Sequence, residues 1–118
     1  MNSGNSNFIR FNNSTTARVK IGDTTTNDIT LPGTAIAQNT WFVFGVEWDG
    51  STIRVYQDTD YSTPTTASDS DTFAGIDDLG KRGSAFDGQI RELVLVNDVL
   101  SSSDRENLMT HLETIRDI

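Results

Sequence analysis

The segment Thr40–Tyr56 constrains the fold most strongly, because two runs of β-forming residues flank an Asp-Gly pair. Asp-Gly in this setting is typical of a two-residue type I′ hairpin turn, whose two central residues both need a positive φ. A two-residue loop at Asp49-Gly50 places Val46 opposite Ile53. It also gathers the apolar side chains of the hairpin on one face, which we expect to be buried: Phe42, Phe44, Val46, Trp48, Ile53 and Val55.

The other face of this hairpin is mixed and holds the candidate ligand-binding residues. Trp41 and Tyr56 offer flat apolar rings to a sugar, and Arg54 offers a planar set of hydrogen-bond donors. Sugar contact is one hypothesis for these three side chains. Cover by the polar residues 57–83, or by a neighbouring subunit, is the other.

Further strands are predicted on both sides of the hairpin. Phe8–Phe11 and Ala17–Ile21 form two strands around a turn at Asn12–Ser14, and a short strand Asp28–Leu31 ends at a Pro-Gly pair. In the second strand, apolar residues face the core and two basic residues face water, namely Ala17, Val19 and Ile21 against Arg18 and Lys20.

The second half of the chain begins with a polar, turn-rich region and becomes apolar towards its end. Residues 57–83 contain Pro64 and are expected to form loops, with short strands at Thr72–Ala74 and Asp78–Gly80. The apolar run Gln89–Val96 predicts a strand. These features lie in a single domain covering residues 1–118, since 118 residues suit one core.

A C-terminal helix is predicted over residues 102–115. Ser101 is a suitable N-cap, and Asp104 places an acid in the first turn. One stripe of the helix carries the residues expected to face the core: Leu108, His111, Leu112 and Ile115. The fold class is therefore all-β, an antiparallel sandwich with one C-terminal α-helix.

The composition agrees with many short strands and limits the classes of partner. The chain has 16 Thr, 11 Ser and 9 Asn, residues that suit exposed strand faces and turns. Its net charge of -8 repels phosphate backbones and anionic lipids, which argues against nucleic-acid and membrane partners. The sequence says little about the compartment of the protein. The first five residues show neither the basic nor the apolar stretch of a signal peptide. The lack of cysteine leaves the redox state of the compartment open.

Catalytic and metal chemistry find little support in the sequence. His111 is the sole histidine and falls on the apolar stripe of the helix, which favours a structural role, and one His without Cys argues against zinc. Glu47 and Asp49 invite comparison with paired glycosidase acids, but Asp49 is needed for the turn and no third acid follows. Calcium is the one metal that the acidic residues of the chain could bind. A solvated acidic surface is the favoured interpretation of these residues, which are Asp58, Asp60, Asp69, Asp71, Asp77 and Asp78.

The order of these features resembles the C-terminal half of concanavalin A-like (laminin-G-like) lectin and glucanase domains. The resemblance rests on the Trp-led hairpin, on Phe86-Asp87-Gly88-Gln89-Ile90-Arg91-Glu92, and on Leu100-Ser101 before the helix. It covers roughly Thr40 to Ile115. The chain departs from the family pattern at Asp58-Thr59-Asp60, where a glycine is usual, and it is shorter because the N-terminal strands are missing.

The resemblance implies a shortened jelly roll and a surface function. Such domains occur in phage virion proteins and in secreted carbohydrate-binding proteins. We expect a fragment or a minimal sandwich whose open sheet edges a neighbour covers. The favoured function is a non-enzymatic virion module, such as a capsid decoration protein or a tail or fibre component, that acts as a homo-oligomer or with other virion proteins. The alternative is an extracellular lectin-like module that uses Trp41, Arg54 and Tyr56.

Overall fold

The computed structural model describes residues 8–22, 25–58, 60–72, 81–82, 84–85 and 88–118. Two three-stranded antiparallel sheets and a C-terminal helix make up most of this part of the chain. The first sheet has the order β1-β2-β3, with β1 at Phe8–Asn13, β2 at Thr16–Lys20 and β3 at Asn27–Thr30. The second has the order β4-β5-β6, with β4 at Phe44–Trp48, β5 at Thr52–Gln57 and β6 at Asp60–Ser68. A short β7–β8 ladder (Lys81–Arg82 and Ser84–Ala85) precedes α1 (Ser102–Arg116).

The β4–β5 hairpin forms as predicted, but its register differs from the prediction by two residues. Val46 pairs with Val55 in place of Ile53, so the central residues of the turn are Gly50 and Ser51. Gly50 has a φ of 97°, whereas Asp49 has no positive φ. The predicted type I′ turn at Asp49-Gly50 is therefore wrong, because it needs a positive φ at both residues.

The Asp49 side chain explains where this turn lies. Its Oδ1 accepts hydrogen bonds from the backbone N–H groups of Ser51 (3.0 Å) and Thr52 (2.8 Å), and its Oδ2 accepts one from Arg54 (2.8 Å). The carboxylate thus replaces a backbone carbonyl as the acceptor inside the turn. Since side chains alternate with a period of two, a two-residue shift leaves each one on its predicted face.

The core lies between the two sheets. The apolar face of β5 points into it together with the predicted inward side chains of β2, and its buried members are Ala17, Val19, Ile21, Ile29, Leu31, Ile53 and Val55. Phe11 of β1 packs edge-on against Phe42 and Phe44, with ring centroids 5.4 and 4.8 Å apart. At the other side, the Thr65 hydroxyl of β6 donates to the Thr30 carbonyl of β3. The sheets are therefore joined along both sides of a sandwich-like core.

The first sheet follows the predicted pattern with one exception. Ala17, Val19 and Ile21 are buried, as their alternation predicts. Lys20 was expected to face water but is only 8 % exposed, at the strand end where it pairs with Phe8. The outer face of this sheet is therefore not uniformly solvated.

The region 57–83 contains a strand that the sequence analysis missed. Residues 60–68 form β6, which pairs with β5 after a turn in which Asp58 has a φ of 49°. Thr and Tyr residues give this stretch β-propensity, and Pro64 is tolerated because β6 is at the edge of its sheet. Of the short strands expected near residues 72–74 and 78–80, only Thr72 lies within the described residues, and it belongs to no strand.

The apolar run Gln89–Val96 was predicted to be a strand, and this prediction is wrong for the chain on its own. These residues belong to no strand or helix, and all of them are exposed. An apolar run becomes a strand only where a neighbouring strand supplies backbone partners. No backbone–backbone hydrogen bond joins residues 89–96 to another described part of the chain.

The C-terminal helix agrees closely with its prediction. Ser101 caps its N-terminus by accepting a hydrogen bond from the Asp104 N–H (3.2 Å). The buried face differs from the prediction, because Met109 is buried there and His111 is exposed. The helix face that carries Met109 and Leu112 packs against the second sheet, and His111 lies on a different face of the helix. Within the described residues, no helix is long and apolar enough to cross a membrane.

The position of β5 in the core generates a stability prediction. Ile53→Ala removes a fully buried side chain from the core and leaves a cavity, so we expect the free energy of unfolding to fall by about 2–5 kcal/mol. Urea denaturation followed by circular dichroism measures it. Ile118→Ala makes the same change at a residue that is 85 % exposed and should cost less than ~0.5 kcal/mol. Equal losses in the two variants would contradict the assigned core.

Candidate functional site

The helix α1 covers the outer face of the second sheet. Val43, Tyr56 and Met109 form a second buried cluster there, with Leu112 packed against it. Tyr56 is only 3 % exposed as a result. Strand β5 of the second sheet is therefore covered on both faces, by the first sheet on one side and by α1 on the other.

A network of charges fixes the helix to this face. Arg105 of α1 donates to both oxygens of Glu47 on β4, with N···O distances of 2.8–3.2 Å, and its guanidinium also donates to the Leu100 carbonyl (3.1 Å). Arg54 lies 3.6 Å from Glu47 and binds Asp49 more closely. Bidentate pairs of this kind give geometric specificity as well as energy.

This environment shifts two ionisation equilibria. Burial raises the pKa of the Tyr56 phenol, and the negative charge of Glu47 adds to the effect. At the turn, the hydrogen bond from Arg54 holds the pKa of Asp49 well below its usual range, with help from the N–H groups of Thr52 and Ser51. The Asp49 carboxyl group therefore stays ionised in the folded hairpin.

Trp41 has a different neighbour. The Arg91 guanidinium carbon lies 4.1 Å from the centroid of the Trp41 ring, and the same side chain donates to carbonyls at the end of α1, those of Ile115, Arg116 and Ile118 (2.7–3.1 Å). Arg91 thus stacks on an aromatic ring while it caps the helix C-terminus.

The three predicted ligand-binding residues therefore do not share one open surface. Tyr56 lies beneath α1, Arg54 is paired with two carboxylates, and Trp41 is half-buried with a guanidinium on its ring. The helix α1 covers Tyr56. The cover expected from the sequence was residues 57–83 or a neighbouring subunit. Sugar binding through all three stays a prediction, and it requires α1 to move.

The acidic residues considered for calcium have protein partners where the structure describes their side chains. Asp58 accepts from Arg116 (2.9 Å) and from the Val43 N–H (3.0 Å). Asp69 is buried and accepts from the Asn27 amide (2.7 Å). The side chains of Asp60, Asp77 and Asp78 lie outside the described residues. In the described part of the chain, no three acidic or histidine side chains are grouped as a metal site requires.

The main feature that the sequence analysis missed is an exposed apolar segment, residues 90–99. Its members are between 39 and 66 % exposed: Ile90, Leu93, Val94, Leu95, Val96 and Val99. Two side chains hold the start of this segment to α1, Arg91 as described above and Glu92, which lies 3.0 Å from His111 Nε2. The apolar run itself was visible in the sequence, but its exposure was not.

Comparison of the chain with protein-family models, with curated proteins and with solved structures found no match.

The position of Tyr56 generates a pH prediction. The unfolded chain loses the Tyr56 proton near pH 10, below the raised pKa of the folded protein, so the free energy of unfolding should fall as the pH rises past ~10. We expect this fall in melting temperature to be smaller in Tyr56→Phe. Tyr61→Phe leaves Tyr56 as the one tyrosine of the chain, and the absorbance of tyrosinate in this variant should show a late titration. A Tyr61→Phe variant whose remaining tyrosine titrates near pH 10 would contradict the burial of the Tyr56 ring.

The contacts of Arg91 generate a second prediction for this site. Arg91→Ala removes the cap of α1 and the cation–π contact with Trp41, so we expect a loss of about 1–2 kcal/mol in stability and faster hydrogen exchange over the last helical turn. Arg10→Ala is the matched control, because Arg10 also lies over a ring, that of Phe8, but touches no helix end. Unchanged exchange in Arg91→Ala would show that the cap contributes nothing.

Proposed function

We propose that this chain is a non-enzymatic structural module that acts through protein–protein contacts in an assembly. The observation that carries the proposal is the exposed apolar segment 90–99. Its six apolar residues are 39–66 % exposed within ten positions of the chain. Exposed apolar patches on a monomer are frequently functional and mark sites of contact with other proteins.

The proposal includes a setting and a fold family. The resemblance to concanavalin A-like domains supports a shortened jelly roll, and it supports a virion protein such as a capsid decoration, tail or fibre component. The net charge of -8 supports protein partners over nucleic acid or anionic membranes. An exposed apolar surface in such a module is covered when the particle assembles.

Catalysis and sugar binding receive less support from the same geometry. Glu47 and Asp49, the two acids considered for glycoside hydrolysis, are both held by arginines, and Asp49 also accepts hydrogen bonds within its turn. Tyr56 is covered by α1, which leaves Trp41 as the more accessible of the two predicted rings.

The proposal is tested by measuring association and sugar binding on the same preparation. Light scattering over a range of concentrations should give a mass well above the 13.0 kDa of one chain, because covering the apolar segment is favourable. A glycan array should give no signal with the wild type or with Trp41→Ala. A monomer whose glycan signal disappears in Trp41→Ala would contradict the proposal and support the lectin alternative.

A further inference from the structure

We infer that residues 91–96 form a strap that closes onto the β4 edge of its own chain, as a parallel fourth strand of the second sheet. The structure shows the strap in its open form, held near that edge by contacts at either end but without backbone hydrogen bonds to it. Closure is independent of the proposed function. Its consequence, that the closed strap hides the apolar segment from partners, rests on that function and describes how assembly is regulated.

Contacts at its two ends align the strap with β4. At its start, the Arg91 guanidinium carbon lies 4.1 Å from the ring centroid of Trp41, three residues ahead of β4. Beyond its end, the Leu100 carbonyl accepts a hydrogen bond from Arg105 (3.1 Å), which also binds Glu47 near the end of β4 (2.8 Å). The chain from residue 91 to residue 100 therefore runs in the same direction as β4.

The edge of β4 carries backbone groups that can receive a strand. The Val43 carbonyl accepts a hydrogen bond from the chain after β5, and the Asp49 N–H donates to β5. Backbone groups alternate in direction along a strand, so those of Phe44 and Val46 point away from β5. In the described chain, no backbone hydrogen bond reaches these groups at that edge. Both residues are partly buried, so pairing with the strap would satisfy groups that are costly to leave unpaired.

The side chains of the strap suit this position on both of its faces. Arg91 contacts the end of α1, so alternation along a strand turns Leu93 and Leu95 towards the helix. Val94 and Val96 then face the core. The buried cluster beneath α1 lies on the helix side, and the stacked rings of β1 and β4 lie on the core side. Apolar runs of this kind are typical of strands that are covered on both faces.

One ion pair opposes closure. Neighbouring side chains of a strand point to opposite faces, yet Arg91 and Glu92 both contact α1 in the structure. The Glu92 carboxylate lies 3.0 Å from His111 Nε2, and closure must break this contact. Its two side chains are 31 and 52 % exposed, and exposed pairs contribute little to stability. The pair is therefore a weak latch of the open form.

Closure and assembly compete for the same side chains. Residues 93–96 are 39–66 % exposed in the open form and become buried within their own chain when the strap closes. A partner that binds the apolar segment binds the open form, so it must shift the equilibrium away from closure. A dilute chain is therefore closed and monomeric, and assembly begins when the concentration of partner surfaces is high enough to capture the open form.

Amide hydrogen exchange, measured by NMR on the dilute monomer, tests closure. The N–H groups of Phe44 and Val46 should exchange slowly in the wild type and at least about tenfold faster in Leu95→Asp, because closure would bury the new charge. Leu95 is exposed in the open form, so this variant keeps the circular dichroism spectrum of the wild type. Ile118→Asp, the matched control at another exposed apolar residue, should leave both amides slow.

The latch is tested by the opposite effect on the same two amides. His111→Ala removes the partner of Glu92 without changing the strap, so exchange should slow about twofold to fivefold relative to the wild type. Glu106→Ala is the matched control, because it truncates another exposed side chain of α1. It should leave the exchange rates unchanged.

A disulfide tests regulation, in a chain that has no cysteine of its own. A Cβ at Gly45 would lie 3.7 Å from Met109 Sδ, an ordinary contact, so Gly45→Cys fits on the helix side of β4. At least one of its combinations with Leu93→Cys and Leu95→Cys should oxidise within one chain about tenfold faster than its combination with Val94→Cys, which faces the other way. In light scattering, the oxidised protein should stay at 13.0 kDa where the wild type associates, and reduction should restore association.

The possible failures can be told apart. Amides of Phe44 and Val46 that exchange alike in the wild type and in Leu95→Asp would overturn closure, as would disulfides that form no faster than the one with Val94→Cys. An oxidised variant that still associates would overturn the regulation of assembly alone. A glycan-binding monomer whose two amides exchange slowly would contradict the proposed function and leave closure standing.

Discussion

Strand β5 is the element on which the rest of the structure depends, because it is covered on both faces. Ile53 and Val55 fill the core between the sheets, while Tyr56 packs beneath α1. Its last residue, Gln57, is buried as well and exchanges hydrogen bonds with the chain after β3, accepting from the Gly33 N–H and donating to the Thr34 carbonyl. One six-residue strand thus holds two sheets, a loop and a helix together.

The hairpin shows how far sequence reasoning reaches. The alternation of apolar residues predicts which face each side chain occupies, and Val46, Ile53 and Val55 lie on the predicted face. The same alternation cannot distinguish registers that differ by two residues, since both bury the same set. That choice depends on the Asp49 carboxylate, which accepts backbone hydrogen bonds and places the turn at Gly50-Ser51.

Contacts between distant residues account for most of what the sequence did not predict. Arg105 and Glu47 are 58 positions apart, and no local pattern shows that a helix near the C-terminus covers Tyr56. β6 was missed because its Thr-rich composition also suits loops, and pairing with β5 decides between them. The helix and its cap were predictable because Ser101 and Asp104 act within one turn.

The ion pair between Asp58 and Arg116 links the turn between β5 and β6 to the last turn of α1. Asp58 adopts a left-handed conformation that costs a residue with a side chain about 1 kcal/mol, and the Val43 N–H and the Arg116 guanidinium hold it there. When the last turn of α1 frays, Asp58 loses one of these partners and its strain is less well compensated. The ion pair therefore couples the stability of the helix end to that of the β5–β6 connection, although the two residues are 58 positions apart along the chain.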